Sequence, residues 1–238
     1  MPAPKTDLEL MRLQARNLFR FDRQGRLVST NETPPFVAPR LFLGRTATGN
    51  VWYLRHDLPP GQARGLASLL EREPPLDEAE VEPDCLAEAI VILARGQPVT
   101  AIHRGPAFAF ETAPVAGSST RRLATGEATP FHPQLQEMGW TDPPGDSQQP
   151  FFVIEDHGEI VAICHSSRSS PDAAAAGVST APDYRQRGLA RRVVASWAAD
   201  VMAGGRSALY STTWDNAASR AIAAGFRLRF FGEDCHIT

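Results

Sequence analysis

A short polar segment carries the clearest chemical signal in this sequence. It reads Arg185-Gln-Arg-Gly188-Leu-Ala190 and follows the strand-like run Val178-Ser-Thr. Pro182 ends that strand, because proline has no backbone N–H to donate. The first N–H groups of a helix lack intrahelical partners, and the helix dipole adds positive potential there. Small residues at Gly188 and Ala190 let an anion approach the backbone, so the segment predicts a binding site for a diphosphate.

The residues after this segment predict the helix that such a site needs. Four apolar residues recur at four-residue steps and form one face: Leu189, Val193, Trp197 and Val201. Gly204–Gly205 supplies the C-terminal stop. Four arginines concentrate positive charge around the start of the helix: Arg185, Arg187, Arg191 and Arg192. A phosphate-bearing cofactor is therefore expected.

The hexapeptide Arg185–Ala190 resembles the [RQ]-x-x-G-x-[GA] signature of the GNAT superfamily of N-acyltransferases. The run Tyr210-Ser-Thr-Thr-Trp-Asp-Asn216-Ala-Ala-Ser219, followed by Gly225-Phe226, is similar to the next strand and helix of that family. The resemblance covers roughly residues 105–238. It implies an N-acyltransferase that uses acetyl-CoA as co-substrate and moves the acetyl group to an amine.

The resemblance also implies which residues bind CoA. In the family, the strand that matches Val178–Thr180 separates from its neighbour and pairs with the pantetheine amides, and the following loop holds the pyrophosphate. Asn216 would hydrogen-bond to the pantetheine arm, or cap its helix, or do both. The implied cofactor-binding residues are Val178, Ser179, Thr180, Arg185, Gln186, Arg187, Gly188, Leu189, Ala190 and Asn216.

Two catalytic residues that many family members carry are missing from the matching positions. Many members place a glutamate on the strand before the loop as a general base, where this chain has Ala173–Ala176. Many also place a tyrosine near the middle of the last helix to protonate the leaving thiolate. Counting seven residues on from Asn216 gives Ala223 instead. The usual acid and base of the family are therefore not visible.

His165 is the catalytic candidate that remains. An alkyl ammonium has a pKa of about 10.4 and must lose a proton before it can attack a thioester. His165 ends the strand that precedes the CoA strand, and its near-neutral pKa suits a base, although a capping or surface role stays open. Cys164 cannot pair with it through adjacency, because neighbours in a strand point to opposite faces. Tyr210 is a second-choice acid for the thiolate, which with a thiol pKa of about 8.5 is a tolerable leaving group unaided.

Two functional hypotheses follow from these residues. The first is direct acyl transfer in a ternary complex with a small-molecule or peptide amine. The alternative is a non-catalytic acyl-CoA sensor or scaffold with a GNAT-like fold, which the missing glutamate and tyrosine favour.

The elements around the segment predict a fold. Residues 151–231 read as β-β-β-α-β-α-β, from a hairpin around Asp156-His-Gly158 to a last strand at Phe226–Phe231. The predicted fold class is α/β (α+β): a mixed, mostly antiparallel sheet flanked by helices over residues 105–238. Residues 1–104 predict a small α+β module of two hairpins and several helices. This module could shape the acceptor site, mediate homodimerisation, or be a degenerate partner domain.

Composition excludes several other classes of protein. Lys and Arg number 24 against 27 acidic residues, so no basic excess indicates nucleic-acid binding. Three widely spaced cysteines without a CxxC pair argue against disulfides and a zinc site, and no metal is expected. No signal peptide and no apolar run long enough to span a bilayer is evident, which predicts a cytoplasmic protein that does not bind membranes.

Overall fold

The computed structural model describes residues 4–140 and 143–238. The proline- and glycine-containing run at 140–149 predicts an irregular segment, and its residues Thr141 and Asp142 lie outside the described residues. The strands are β1 (Phe19–Phe21), β2 (Leu27–Thr30), β3 (Leu41–Thr46), β4 (Gly49–Leu54), β5 (Ile102–Ala109), β6 (Arg121–Leu123), β7 (Phe151–Asp156), β8 (Glu159–Ser169), β9 (Ala173–Thr180), β10 (Ser207–Ser211) and β11 (Arg229–Ile237). The helices are α1 (Asp7–Leu18), α2 (Pro60–Leu70), α3 (Leu86–Ala94), α4 (Thr125–Ala128), α5 (His132–Glu137), α6 (Leu189–Ala203) and α7 (Ala217–Phe226).

The chain divides into two compact units. The first comprises the chain up to Ala109 with Ser211–Ala221 and Arg229–Thr238, and the second comprises Phe110–Tyr210 and Ile222–Leu228. The boundary predicted at 104/105 does not coincide with this division. The reason is that β11, at the end of the chain, pairs with β3 and β5 of the first unit.

The first unit contains an antiparallel ribbon of β1 and β2 and four antiparallel strands in the order β4-β3-β11-β5. Alternate residues of a strand face opposite sides of the sheet, so the two faces of these strands have different packing partners. On one side, Leu41, Leu43 and Ile237 pack in a buried cluster with α2 and α3. Helix α1 contacts β3 and β11 and buries Met11 completely.

The second unit contains five strands in the order β10-β9-β8-β7-β6. The pair of β10 and β9 is parallel, and the other pairs are antiparallel. Helix α6 packs on β7, β8 and β9, with Val193, Val194 and Trp197 fully buried. The Trp197 indole N–H donates to Ser166 Oγ at 3.1 Å, which satisfies the one polar atom of that buried ring.

The structure confirms the predicted fold class and the order of elements from β7 to β11. The bounds of the last strand were wrong, since α7 runs to Phe226 and β11 begins at Arg229. Gly225 does not stop the helix. Arg227 takes the left-handed conformation (φ 53°) instead, and the N–H of Leu228 bonds to the carbonyl of Ala223. Within the described residues, no helix is long and apolar enough to cross a membrane.

Candidate functional site

The predicted diphosphate segment is a loop with two left-handed residues. A 3-10 turn over Pro182–Tyr184 follows β9, and α6 begins at Leu189 with Gly188 as its N-cap. Gln186 has φ 61° and Gly188 has φ 73°. Glycine adopts such a conformation without the steric cost of a Cβ. No atom lies within 4 Å of the place where a Cβ of Gly188 would stand, so the loop is open on that side.

The loop leaves a row of backbone donors without acceptors. Within the described residues, the N–H groups of residues 186–191 donate no hydrogen bond, whereas those of Tyr184 and Arg185 close the preceding turn. Unsatisfied N–H groups at a helix start, combined with the helix dipole, form an anion site. The geometry therefore suits the pyrophosphate that the resemblance assigns to Arg185–Ala190.

Two arginines of the loop are exposed, and each donates one hydrogen bond to a backbone carbonyl. Arg185 Nε donates to Thr180 O at 3.3 Å, and Arg187 Nη2 donates to Asp183 O at 2.7 Å. The Arg187 guanidinium also lies 4.9 Å from the ring centroid of Tyr184. Other guanidinium N–H groups of both side chains remain available to an anion.

The other two arginines lie elsewhere. The Arg191 guanidinium stands over the ring of Phe226, 5.1 Å from its centroid. Arg192 Nε donates to Ser118 O at 2.9 Å. Residues 191 and 192 lie in helix α6, and their side chains point to Phe226 and Ser118 and not to the loop. The positive charge at the loop therefore comes mainly from Arg185 and Arg187.

Strand β9 has a partly unpaired edge next to the loop. Its register with β10 covers three pairs and ends at Leu209↔Ala175, whereas its register with β8 continues to Ala162↔Thr180. Residues 173–175 are buried, and residues 176–180 are only partly so. Backbone groups of Val178–Thr180 on this edge suit pairing with an extended amide chain. That role stays a prediction, and this strand separation supports it.

Asn216 caps α7. Its Oδ1 accepts a hydrogen bond from the N–H of Ser219 at 3.0 Å, which is the capping role left open from the sequence. Asn216 belongs to the first unit, whereas the loop and β9 belong to the second. Its contact with pantetheine stays a prediction.

His165 lies opposite Gly177, its register partner in β9. A Cβ on Gly177 would lie 2.4 Å from His165 Cε1, so glycine is needed there to admit the imidazole. The centroid of its ring lies 4.1 Å from that of Trp140, with the two planes tilted by 49°, and its Nδ1 is buried without a hydrogen-bond partner among the described residues. Burial lowers the pKa of His165 to about 3. A neutral imidazole of such low pKa is a weak base, so this environment disfavours the catalytic role predicted for His165.

Two neighbours of this site were overlooked in the sequence. Trp140 stands in an irregular stretch that gives no sign of its contact with β8. Gly177 had a usable signal, since a glycine inside a strand often marks close approach of another group. The remaining candidates are buried: Cys164 is fully enclosed, which raises the pKa of its thiol, and Tyr210 is 2% exposed.

Comparisons with known proteins support the resemblance to the GNAT superfamily. Residues 150–230 match a family model described as GNAT acetyltransferase. No curated protein matches the chain. Among solved structures, the chain is similar to a protein named as a GNAT-family acetyltransferase from Novosphingobium aromaticivorans, with a TM-score of 0.52 and 18% identity over 58% of this chain and 65% of that one. It thus spans slightly less than two thirds of that protein.

Two other solved structures cover more of the chain. A GCN5-related N-acetyltransferase-like protein from Streptococcus suis has a TM-score of 0.50 and 14% identity, over 97% of this chain and 99% of that one. An acetyltransferase from the GNAT family from Colwellia psychrerythraea has a TM-score of 0.51 and 14% identity, over 91% of this chain and 83% of that one. At these identities the likeness shows the fold.

Proposed function

We propose that the chain is an N-acyltransferase of the GNAT superfamily that moves an acetyl group from CoA to an amine, which the match of residues 150–230 to the GNAT acetyltransferase family model supports. One observation carries the proposal: the N–H groups of residues 186–191 are open around a left-handed Gly188. Arg185 and Arg187 add charge at the same place. Together these features suit the diphosphate of CoA, and the unpaired edge of β9 suits its pantetheine amides.

The proposed reaction is direct transfer in a ternary complex. The amine nitrogen attacks the thioester carbonyl carbon, the C–S bond breaks, CoA leaves as a thiolate, and the proton of the nitrogen passes to water. Positioning the two reactants supplies much of the rate. A backbone N–H on the open edge near Val178 would polarise the carbonyl. The acceptor that we propose is a small-molecule or peptide amine, and we propose a cytoplasmic location.

A second candidate function is binding of acyl-CoA without turnover. Ala173–Ala176 and Ala223 stand where many family members carry the base and acid, and the pKa of His165 is about 3. Release of the CoA thiol from acetyl-CoA, followed over a broad panel of amines, separates the two functions. Amine-dependent release supports the enzyme, and tight binding without release supports a sensor.

The CoA site itself is tested by two matched glycine variants. At both Gly188 (φ 73°) and Gly158 in the β7–β8 turn (φ 83°), no atom lies within 4 Å of the place that a Cβ would occupy. Valine at either position introduces the same backbone strain, but only at residue 188 does it crowd the open N–H groups. Isothermal titration should show acetyl-CoA binding weakened about 100-fold in Gly188→Val, equivalent to about 2.7 kcal/mol, and unchanged in Gly158→Val. Equal affinity in both variants, or no binding by the unmodified chain, would overturn the proposal.

A further inference from the structure

Three potential metal ligands meet on one face of the paired strands β5 and β11. His103 lies directly opposite His236, and Asp234 lies opposite Gly105. Residues two apart in a strand share a face, so Asp234 and His236 point to the same side. Gly105 has no side chain that could come between Asp234 and the histidines. All of these residues belong to the first unit, and none belongs to the proposed CoA site.

The distances between the ligand atoms are close to those around a metal ion. His236 Nε2 lies 3.1 Å from Asp234 Oδ1, and His103 Nε2 lies 3.6 Å from the same oxygen. One ligand atom from each residue lies within 4.8 Å of the others. Ligands about 2.0–2.2 Å from a zinc ion stand roughly 3–3.5 Å apart. The His103 side chain is 39% exposed, so its ring is able to turn and close the remaining gap.

The carboxylate is held in place by a neighbour. Asp234 is 2% exposed, and its Oδ2 accepts a hydrogen bond from Gln14 Nε2 at 3.2 Å. That leaves Oδ1 facing the two imidazoles. A buried carboxylate is costly unless charge or hydrogen bonds compensate it, and oriented outer partners are typical of metal-binding carboxylates.

One imidazole nitrogen lacks a well-aligned partner. His236 Nε2 is buried and lies 3.1 Å from Asp234 Oδ1, with which it pairs without the alignment of a good hydrogen bond. Its ring is fixed between Phe19 and Phe42, whose centroids lie 5.3 and 5.2 Å away. A fixed imidazole whose nitrogen faces a buried carboxylate is placed to share a bound cation with it.

We propose that His103, Asp234 and His236 form a binding site for a divalent first-row transition metal, with zinc as the first candidate. Two histidines and one carboxylate suit zinc and Fe(II). The exposed side of His103 leaves a further coordination position for water or another ligand. A bound ion would cross-link β5 and β11 and stabilise the folded state by mass action.

The test uses the full chain freed of metals with a chelator and titrated with Zn²⁺. We expect one equivalent to bind, and we expect His103→Gln to weaken binding at least 100-fold. His103 is the best variant because its side chain is partly exposed, whereas His236 packs in an aromatic cluster. His157→Asn is the matched control, since its side chain is 91% exposed in a turn.

Two further measurements guard against misfolding and non-specific binding. Circular dichroism and acetyl-CoA titration should be unchanged in His103→Gln, so failure of the metal site and failure of the CoA site are distinguishable. Co²⁺ should give visible absorption bands of a nitrogen- and oxygen-ligated site that change in Asp234→Asn and His103→Gln. Absence of stoichiometric binding, or equal binding by His103→Gln and the unmodified chain, would overturn the proposal.

Discussion

Two polar clusters in the two units differ in how their donors and acceptors are satisfied. In the first unit, Arg45 is 4% exposed and forms ion pairs with Glu73 at 3.2 Å and Glu233 at 2.9 Å. In the second unit, the loop at residues 186–191 keeps its N–H groups unbonded within the described residues and its arginines exposed. The first cluster is closed to ligands, and the second is open.

The remaining contacts of the buried cluster show what it does. Glu73 accepts from the N–H groups of Asp84 and Cys85 at the start of α3, at 3.2 and 2.8 Å. Glu233 accepts from the Trp214 indole at 3.1 Å and from the N–H of Glu80 at 3.3 Å. These carboxylates therefore fasten the 73–85 segment to the strands. The comparison teaches that buried charges with partners hold the fold, whereas exposed donors without partners are available for binding.

The largest expected effect comes from breaking the closed cluster. Arg45→Met leaves two buried carboxylates without their cation, and removal of one partner of a buried pair costs about 3–5 kcal/mol. Urea denaturation should show that loss of unfolding free energy, while the folded variant keeps its affinity for acetyl-CoA. Arg26→Met is the control, because the Arg26 side chain is about half exposed and solvent screens its ion pair with Asp22, so the unfolding free energy should change far less. Equal losses in the two variants would show that the cluster does not support the fold.

A smaller effect is expected from His165 in the second unit, whose side chain is partly exposed but whose Nδ1 is buried. Because the pKa of His165 is about 3 in the folded state and about 6.5 when unfolded, the unfolded chain binds more protons between these values. The contribution of His165 to the unfolding free energy is constant above about pH 6.5 and falls as the pH drops below that value. By pH 5 the loss is roughly 1–2 kcal/mol.

The measurement is denaturation at pH 7 and pH 5. His165→Gln should reduce the difference in unfolding free energy between the two pH values by that amount, whereas His157→Asn should leave it as in the unmodified chain. If His165→Gln kept the full difference, the pKa of this imidazole would not be lowered in the folded state.

Local signals made one part of this molecule predictable. The end of strand β9 near Pro182 and the amphipathic helix α6 with its stop at Gly204–Gly205 are encoded within a few neighbouring residues, and the sequence predicted both. The sequence also identified Gly188 as the residue before the helix, because glycine adopts the left-handed conformation that a turn into a helix can need.

Long-range contacts explain what was overlooked. Strand β5 was not predicted, because Gly105-Pro106 reads as a break, yet it pairs with β11 from the far end of the chain. Arg45 and Glu233 are distant in sequence, as are His103 and His236, and no periodicity links them. The direction of Arg191 and Arg192 likewise depends on Phe226 and Ser118, which the charge pattern alone does not reveal.

The smallest expected effect is on acetyl-CoA binding, and it compares two arginines of the open cluster. Arg187 and Arg191 are both exposed arginines, but the Arg187 side chain lies in the loop before α6, whereas Arg191 lies in α6 and its guanidinium covers Phe226. Charge-assisted bonds to a phosphate are stronger than neutral ones, so Arg187→Gln should weaken acetyl-CoA binding about tenfold and Arg191→Gln less than about threefold. Isothermal titration at low and high salt measures both, and screening should shrink the Arg187 effect. Equal effects would mean that general positive charge, and not the position of Arg187, attracts the ligand.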